Sequence, residues 1–233
     1  MTVVLALRCA DGLVLAADSQ ITEPDRGLTY PAQKLHGLGR RAAWAGSGSR
    51  AVLYDLEQMF DAQPETIVEA GDVGRALQAR VVPVLQHHYD NFIEEVPGQK
   101  TSGATPATYV LAAGYSDGEP FIVDIDPHGL IGHYEDIGFQ AIGSGAPMAQ
   151  QARALLSNFR MNERPVAYGV LAALRVLHAL DETSPTVGGP MDICRITPDG
   201  ADHLSPGDVD EVASEVCRWR ELERETLDRL FDR

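Results

Sequence analysis

The stretch TVVLALRCADGLVLAAD, residues 2–18, consists of two apolar runs on either side of a short polar break. Thr2–Cys9 and Leu13–Asp18 are rich in leucine and β-branched residues, and Ala10, Asp11 and Gly12 between them have the composition of a tight turn. A strand with one wet face alternates apolar and polar positions. Val3–Leu7 and Leu13–Ala17 are instead apolar almost throughout, so both strands are expected to be buried on both faces, between a second sheet and a layer of helices.

Outward from this hairpin the chain alternates blocks of strands and helices. Residues 23–33 read as a loop, on Pro24, Gly27 and Pro31. Lys34–Leu38 and Arg41–Ala45 form an expected second hairpin around Gly39. Ser49 is placed to cap a helix over Arg50–Phe60, with Val52, Leu53, Leu56, Met59 and Phe60 on one face. A longer helix is expected over Asp72–Glu95, kinked at Pro83, and then a loop over Pro97–Pro106. Strands resume at Thr108–Gly114, Pro120–Asp126, Leu130–Tyr134 and Ile137–Ile142. Helices over Ala146–Met161 and Pro165–Leu180 follow, then strands at Met191–Thr197 and Ala201–Leu204, and a last amphipathic helix over Asp208–Phe231. Two strand blocks separated by helical pairs predict an α+β fold, a four-layer αββα sandwich of two mainly antiparallel sheets between helix layers. The 233 residues are enough for one domain, 1–233, with a substantial core.

The net charge of −15 argues against nucleic acid or an anionic membrane as a partner. No apolar stretch approaches membrane-spanning length, and the first apolar run breaks at Arg8 and Asp11 with no basic segment ahead of it, unlike a signal peptide. Cys9, Cys194 and Cys217 are odd in number and far apart, which suits a reducing, cytoplasmic setting and no zinc site. His87 and His88 are adjacent on a helix, about 100° apart, and are poorly placed to share a metal ion. No cofactor is expected.

The chemistry concentrates near the start of the chain. If Met1 is removed, Thr2 carries a hydroxyl and a free α-amine on one residue, so nucleophile and base come together. A free α-amine titrates near ~7.7–8.0, and a neighbouring cation lowers it. The chain has only two lysines, Lys34 and Lys100, against 17 arginines, so Lys34 in a strand-rich region is either chosen for chemistry or an ordinary surface residue.

The chain resembles β-type subunits of the proteasome, members of the N-terminal nucleophile hydrolases. The resemblance rests on residues 2–19, on Lys34-Leu35, Ala45-Gly46-Ser47, Ala113-Gly114-Tyr115, Ile142-Gly143-Ser144-Gly145-Ala146-Pro147 and Gly188-Gly189-Pro190-Met191-Asp192-Ile193, in that order. It implies that Thr2 is a nucleophile bared by methionine aminopeptidase, with Asp18 holding Lys34, Lys34 lowering the pKa of the Thr2 hydroxyl, the Gly46 N–H stabilising the oxyanion, and Ser144 bonded near the α-amine. Read alone, Ser144 is a turn residue in a Gly-Ser-Gly connection. The resemblance places Ile21, Ala32, His36, Trp44 and Gly48 along the specificity pocket and Thr22 against the substrate backbone. Trp44 there either narrows the pocket or serves as a core residue between layers. The family's Asp-x-x-Ser-Gly-Gly pattern is displaced: Gly188 and Gly189 are present, Val187 falls at the serine, and Asp181 and Ser184 lie three residues early.

The resemblance implies a threonine-type endopeptidase acting on peptides or unfolded proteins, assembled as homo-oligomeric rings that enclose the active sites, with an ATPase unfoldase as a possible partner. A catalytically silent ring subunit and a small-molecule amidase of the same mechanism are the alternatives. An alpha-type subunit fits less well, because no helical extension precedes Thr2. The charged second half of the last helix, Arg218–Arg233, is either a solvated face or a subunit contact.

Overall fold

The computed structural model describes residues 2–23, 27–91 and 107–231. Two five-stranded antiparallel sheets stack face to face. The first has strand order β10-β1-β2-β11-β12, formed by Phe139–Ile142, Val4–Arg8, Leu13–Asp18, Met191–Thr197 and Gly200–His203. The second has order β5-β6-β7-β8-β9, formed by Leu35–Gly37, Ala42–Ser47, Tyr109–Ser116, Glu119–Ile125 and Ile131–His133. Helices α1 (Arg50–Ala62), α2 (Glu65–Val68) and α3 (Val73–Asn91) cover the outer face of the second sheet, and α4 (Ala146–Leu156), α5 (Val166–Thr183) and α6 (Pro206–Phe231) cover that of the first. This is the αββα sandwich expected from the sequence.

The unbroken apolar runs follow from this stacking. In β1 and β2, Val4, Ala6, Leu13, Leu15 and Ala17 face Leu35, Ala43, Ala45 and Leu111 across the gap between sheets. Their neighbours Leu5, Leu7, Val14 and Ala16 point the other way, onto Val170, Ala173, Leu174 and Leu177 of α5. Side chains alternate across a strand, so a strand covered on both faces must be apolar at consecutive positions. Trp44, Val110 and Ala112 pack on Val52, Leu56, Phe60, Leu77 and Val81 in the outer layer.

Three local expectations change. Residues 23–33 are not simply a loop: β3 (Gln20–Glu23) and β4 (Leu28–Pro31) form a two-stranded antiparallel sheet, with Ile21 opposite Tyr30 and Thr22 opposite Thr29. The β-branched and aromatic residues outweigh the breakers, and Pro31 is tolerated because it ends a strand. The helix expected over Ala146–Met161 stops at Leu156 and gives way to 3-10 turns at Ser157–Phe159 and Met161–Glu163, separated by Arg160 in the left-handed region (φ 50°), a conformation that cannot continue a right-handed helix. Ser49 stands at the N-cap position of α1 without a side-chain capping bond. Helix α3 runs through Pro83 to Asn91, and the rest of that expected helix and the Pro97–Pro106 loop lie outside the described residues.

Only Val216 of α6 is fully buried, while Leu222, Leu227, Leu230 and Phe231 are exposed. Among the described residues no helix is long and apolar enough to cross a membrane.

Candidate active site

One buried carboxylate organises the N-terminal end of the molecule. Asp18 closes β2 with no solvent exposure, and its two oxygens accept from four donors. Oδ1 takes the Val3 N–H at 2.9 Å and Lys34 Nζ at 2.8 Å; Oδ2 takes the Gln20 N–H at 3.2 Å and the Gly188 N–H at 3.3 Å. Four donors satisfy the hydrogen-bonding capacity of a carboxylate that water does not reach. Lys34, also buried, donates a second bond to the Gln20 carbonyl at 2.6 Å. Burial pulls the Lys34 pKa below the ordinary lysine value, and the Asp18 charge offsets part of that shift.

Thr2 sits beside this pair at the mouth of the cleft. Its N–H donates to Ser144 Oγ at 3.2 Å, and the Ser144 hydroxyl lies 3.4 Å from the Thr2 carbonyl, which also accepts the Gly145 N–H at 3.2 Å. The Gly143–Gly145 turn can wrap residue 2 because Gly143 has φ 90° and no side chain; a Cβ there would lie 2.2 Å from the Thr2 oxygen. Gly46, in β6, pairs with Val110 on β7, whereas β5 ends opposite Ala45, so the strand is open toward the cleft at this position. Leu53 of α1 packs directly over Gly46: a Cβ on Gly46 would meet its Cδ2 at 2.2 Å.

The cleft encloses about 220 Å³. Thr2, Ile21, Thr22, Ala32, Lys34, His36, Trp44, Gly46 and Gly48, all singled out in the sequence, line it together. Trp44 is both pocket wall and core residue. It is buried in the outer layer, stacks on His36 with centroids 5.1 Å apart, and meets Phe60 edge-on at 4.8 Å. The other wall, which the sequence reading missed, is the face of α1 carrying Arg50, Leu53, Tyr54 and Glu57. Its spacing of three and four residues was the available signal, beside the Val52–Leu56–Phe60 stripe.

Asp181 and Ser184 do not line the cleft. Ser184 ends α5, accepts no part in the Thr2 cluster, and pairs its hydroxyl with Thr186 Oγ1 at 3.0 Å. Asp181 is exposed on the last turn of α5, and its Oδ1 would lie 2.8 Å from a Cβ on Gly188. Val187, at the family's serine position, is buried in the core. Support for Asp18 comes instead from the backbone of the Gly188 turn, whose N–H bonds Asp18 and whose carbonyl accepts the Ser19 and Gln20 N–H groups.

A family model described as "Proteasome subunit" matches residues 2–194. The chain belongs to the proteasome subunit family. Two of its curated relatives are β-type: the chain is 27% identical to proteasome subunit beta 1 of Streptomyces avermitilis, over 94% of this chain and 77% of the relative, and 26% identical to proteasome subunit beta of Archaeoglobus profundus, over 93% and 94%. Among solved structures its fold is similar to Anbu (ancestral beta-subunit) from Yersinia bercovieri, with a TM-score of 0.73 at 16% identity and 97% of both chains covered. It is likewise similar to an Anbu (Gly-1) mutant from Hyphomicrobium sp. strain MC1, with a TM-score of 0.71 at 20% identity, over 98% of this chain and 97% of that one. As a proteasome β-type subunit, the chain presents the Asp18–Lys34 pair and Thr2 at one end of the cleft and the α1 wall along its side.

Proposed function

We propose that this subunit is a threonine-type endopeptidase whose nucleophile is Thr2, freed by removal of Met1. The observation that carries the reading is the shared carboxylate: Asp18 Oδ1 fixes both the Val3 N–H, next to Thr2, and the Lys34 ammonium. In the proposed reaction the free Thr2 amine takes the proton from the Thr2 hydroxyl as Oγ attacks the scissile carbonyl. Lys34 supplies positive charge beside the developing alkoxide, and the Gly46 N–H donates to the oxyanion. The amine proton passes to the leaving amine, the C–N bond breaks, and an ester on Thr2 remains. Water activated by the same amine then hydrolyses that ester and restores the hydroxyl. Ser144, bonded to the residue-2 nitrogen, holds the amine in place. The substrate backbone lies against Thr22 as an added strand, so recognition is tolerant of sequence. Such a nucleophile requires confinement, and we place it in homo-oligomeric rings whose active sites face an enclosed chamber.

Hydrolysis of an unfolded protein by the wild-type chain and by Thr2→Ala tests this. A loss of about 10³-fold or more in kcat/KM is expected. Equal rates would exclude Thr2 as the nucleophile.

A further inference from the structure

The far end of the cleft has a chemistry of its own. From Gly46, where the scissile carbonyl would sit, the next residue on the same face of β6 is Trp44, about 6.8 Å along the strand. His36 on β5 pairs with Trp44 across the ladder and stacks on it. Helix α1 keeps step with this rise: Leu53 covers Gly46, and one turn later Glu57 reaches His36, with Oε1 3.1 Å from Nδ1. The cleft thus runs from a Gly46–Leu53 rung to a His36–Trp44–Glu57 rung, with apolar walls and a carboxylate at the end.

We propose that this pocket selects a basic side chain, arginine or lysine, on the residue that contributes the scissile carbonyl, with Glu57 as the residue that determines the preference. A lysine or arginine stem spans the step from Gly46 toward the second rung and lies along Leu53, and its cationic head meets Glu57. His36 positions that carboxylate through one oxygen, and a carboxylate has about four acceptor sites, so a guanidinium or ammonium can join. The lysine and the arginine of the cleft stand elsewhere. Lys34 is held at the Thr2 end by Asp18 and the Gln20 carbonyl. Arg50 lies two turns before Glu57 on α1, about 10.5 Å away, and donates to Tyr30 Oη at 2.9 Å. An acidic side chain reaching the second rung would face Glu57 with like charge.

The inference takes from the proposed function only the position of the scissile carbonyl at Gly46, and its test is a binding measurement that needs no turnover. Calorimetry of full-length Thr2→Ala protein with acylated tripeptides ending in Arg, Leu or Glu measures the preference directly. The Arg peptide is expected to bind about tenfold or more tighter than the other two. Adding Glu57→Gln should bring the Arg-to-Leu ratio toward one, and adding Glu57→Lys should turn the preference to the Glu peptide. Equal binding of Arg and Leu peptides, or an Arg preference that survives Glu57→Gln, would overturn the inference. A wild-type protein that binds the Arg peptide selectively but hydrolyses nothing would overturn the peptidase reading alone.

Discussion

The cleft holds a side-chain-bonded carboxylate at each end, Asp18 with Lys34 and Glu57 with His36, and the two are built on different terms. Asp18 and Lys34 have side-chain exposures of 0% and 6%, and the Asp18 carboxylate also gathers three backbone N–H groups, from Val3 just ahead of β1, from β3 and from the Gly188 turn. His36 and Glu57 are 17% and 34% exposed, and Glu57 belongs to a peripheral helix. A buried pair cannot lose one member without stranding a charge in a low-dielectric interior, whereas a half-exposed pair is screened by water and contributes little to stability. The contrast separates two tasks. The Asp18 end fixes the backbone beside Thr2, and the Glu57 end leaves a carboxylate partly open to solvent.

Substitutions at the two ends should therefore part company in size. Asp18→Ala removes the counter-charge of Lys34 and the acceptor of three N–H groups, and should lower the unfolding free energy by about 3–5 kcal/mol in denaturant titration; a loss below about 1 kcal/mol would break the comparison. Gly143→Ala forces a side chain onto φ 90° and against the Thr2 carbonyl, and should cost about 1–3 kcal/mol while moving residue 2. Retention of full stability together with full peptidase activity would contradict the close approach described for this turn. Glu57→Gln should change stability by no more than about 1 kcal/mol, with its effect confined to ligand preference.

The last contrast is read in a titration. With only Lys34 and Lys100 in the chain, two lysine signals are expected by NMR. The Lys34 midpoint should lie below the ordinary lysine value because burial disfavours its charge. With the folded pKa below the unfolded one, the unfolded chain binds more protons between the two values, so the Lys34 contribution to unfolding free energy rises with pH across that window. Two midpoints at or above the ordinary lysine value would contradict a desolvated Lys34.

The four-layer fold was legible in residues 2–18 because double-sided burial leaves a sequence signature, the loss of alternation in β1 and β2. The gathering of Thr2, Asp18 and Lys34 was legible for a different reason: the resemblance to proteasome β-type subunits implied it, and the scarcity of lysine drew attention to Lys34. The α1 wall was not read. By its spacing Leu53 belongs to the core stripe of its helix, and which second face of α1 meets the cleft depends on how the helix docks over β6, a tertiary fact that periodicity does not carry. The β3–β4 pairing was missed because Pro24, Gly27 and Pro31 signal a turn and a strand end without excluding strands beside them. The displacement of Asp181 and Ser184 was visible as a spacing mismatch, but the replacement, a backbone N–H from Gly188, leaves no side-chain signature.

The central claim is that Thr2 is a free N-terminal nucleophile beside the Asp18–Lys34 pair. The intact mass of the assembled, purified protein tests it most directly. A mass short by one methionine residue is the predicted result, since it leaves both the amine and the hydroxyl on Thr2. A mass that retains Met1 in assembled protein would contradict the account, because the residue-2 nitrogen would then be an amide and could not accept the proton.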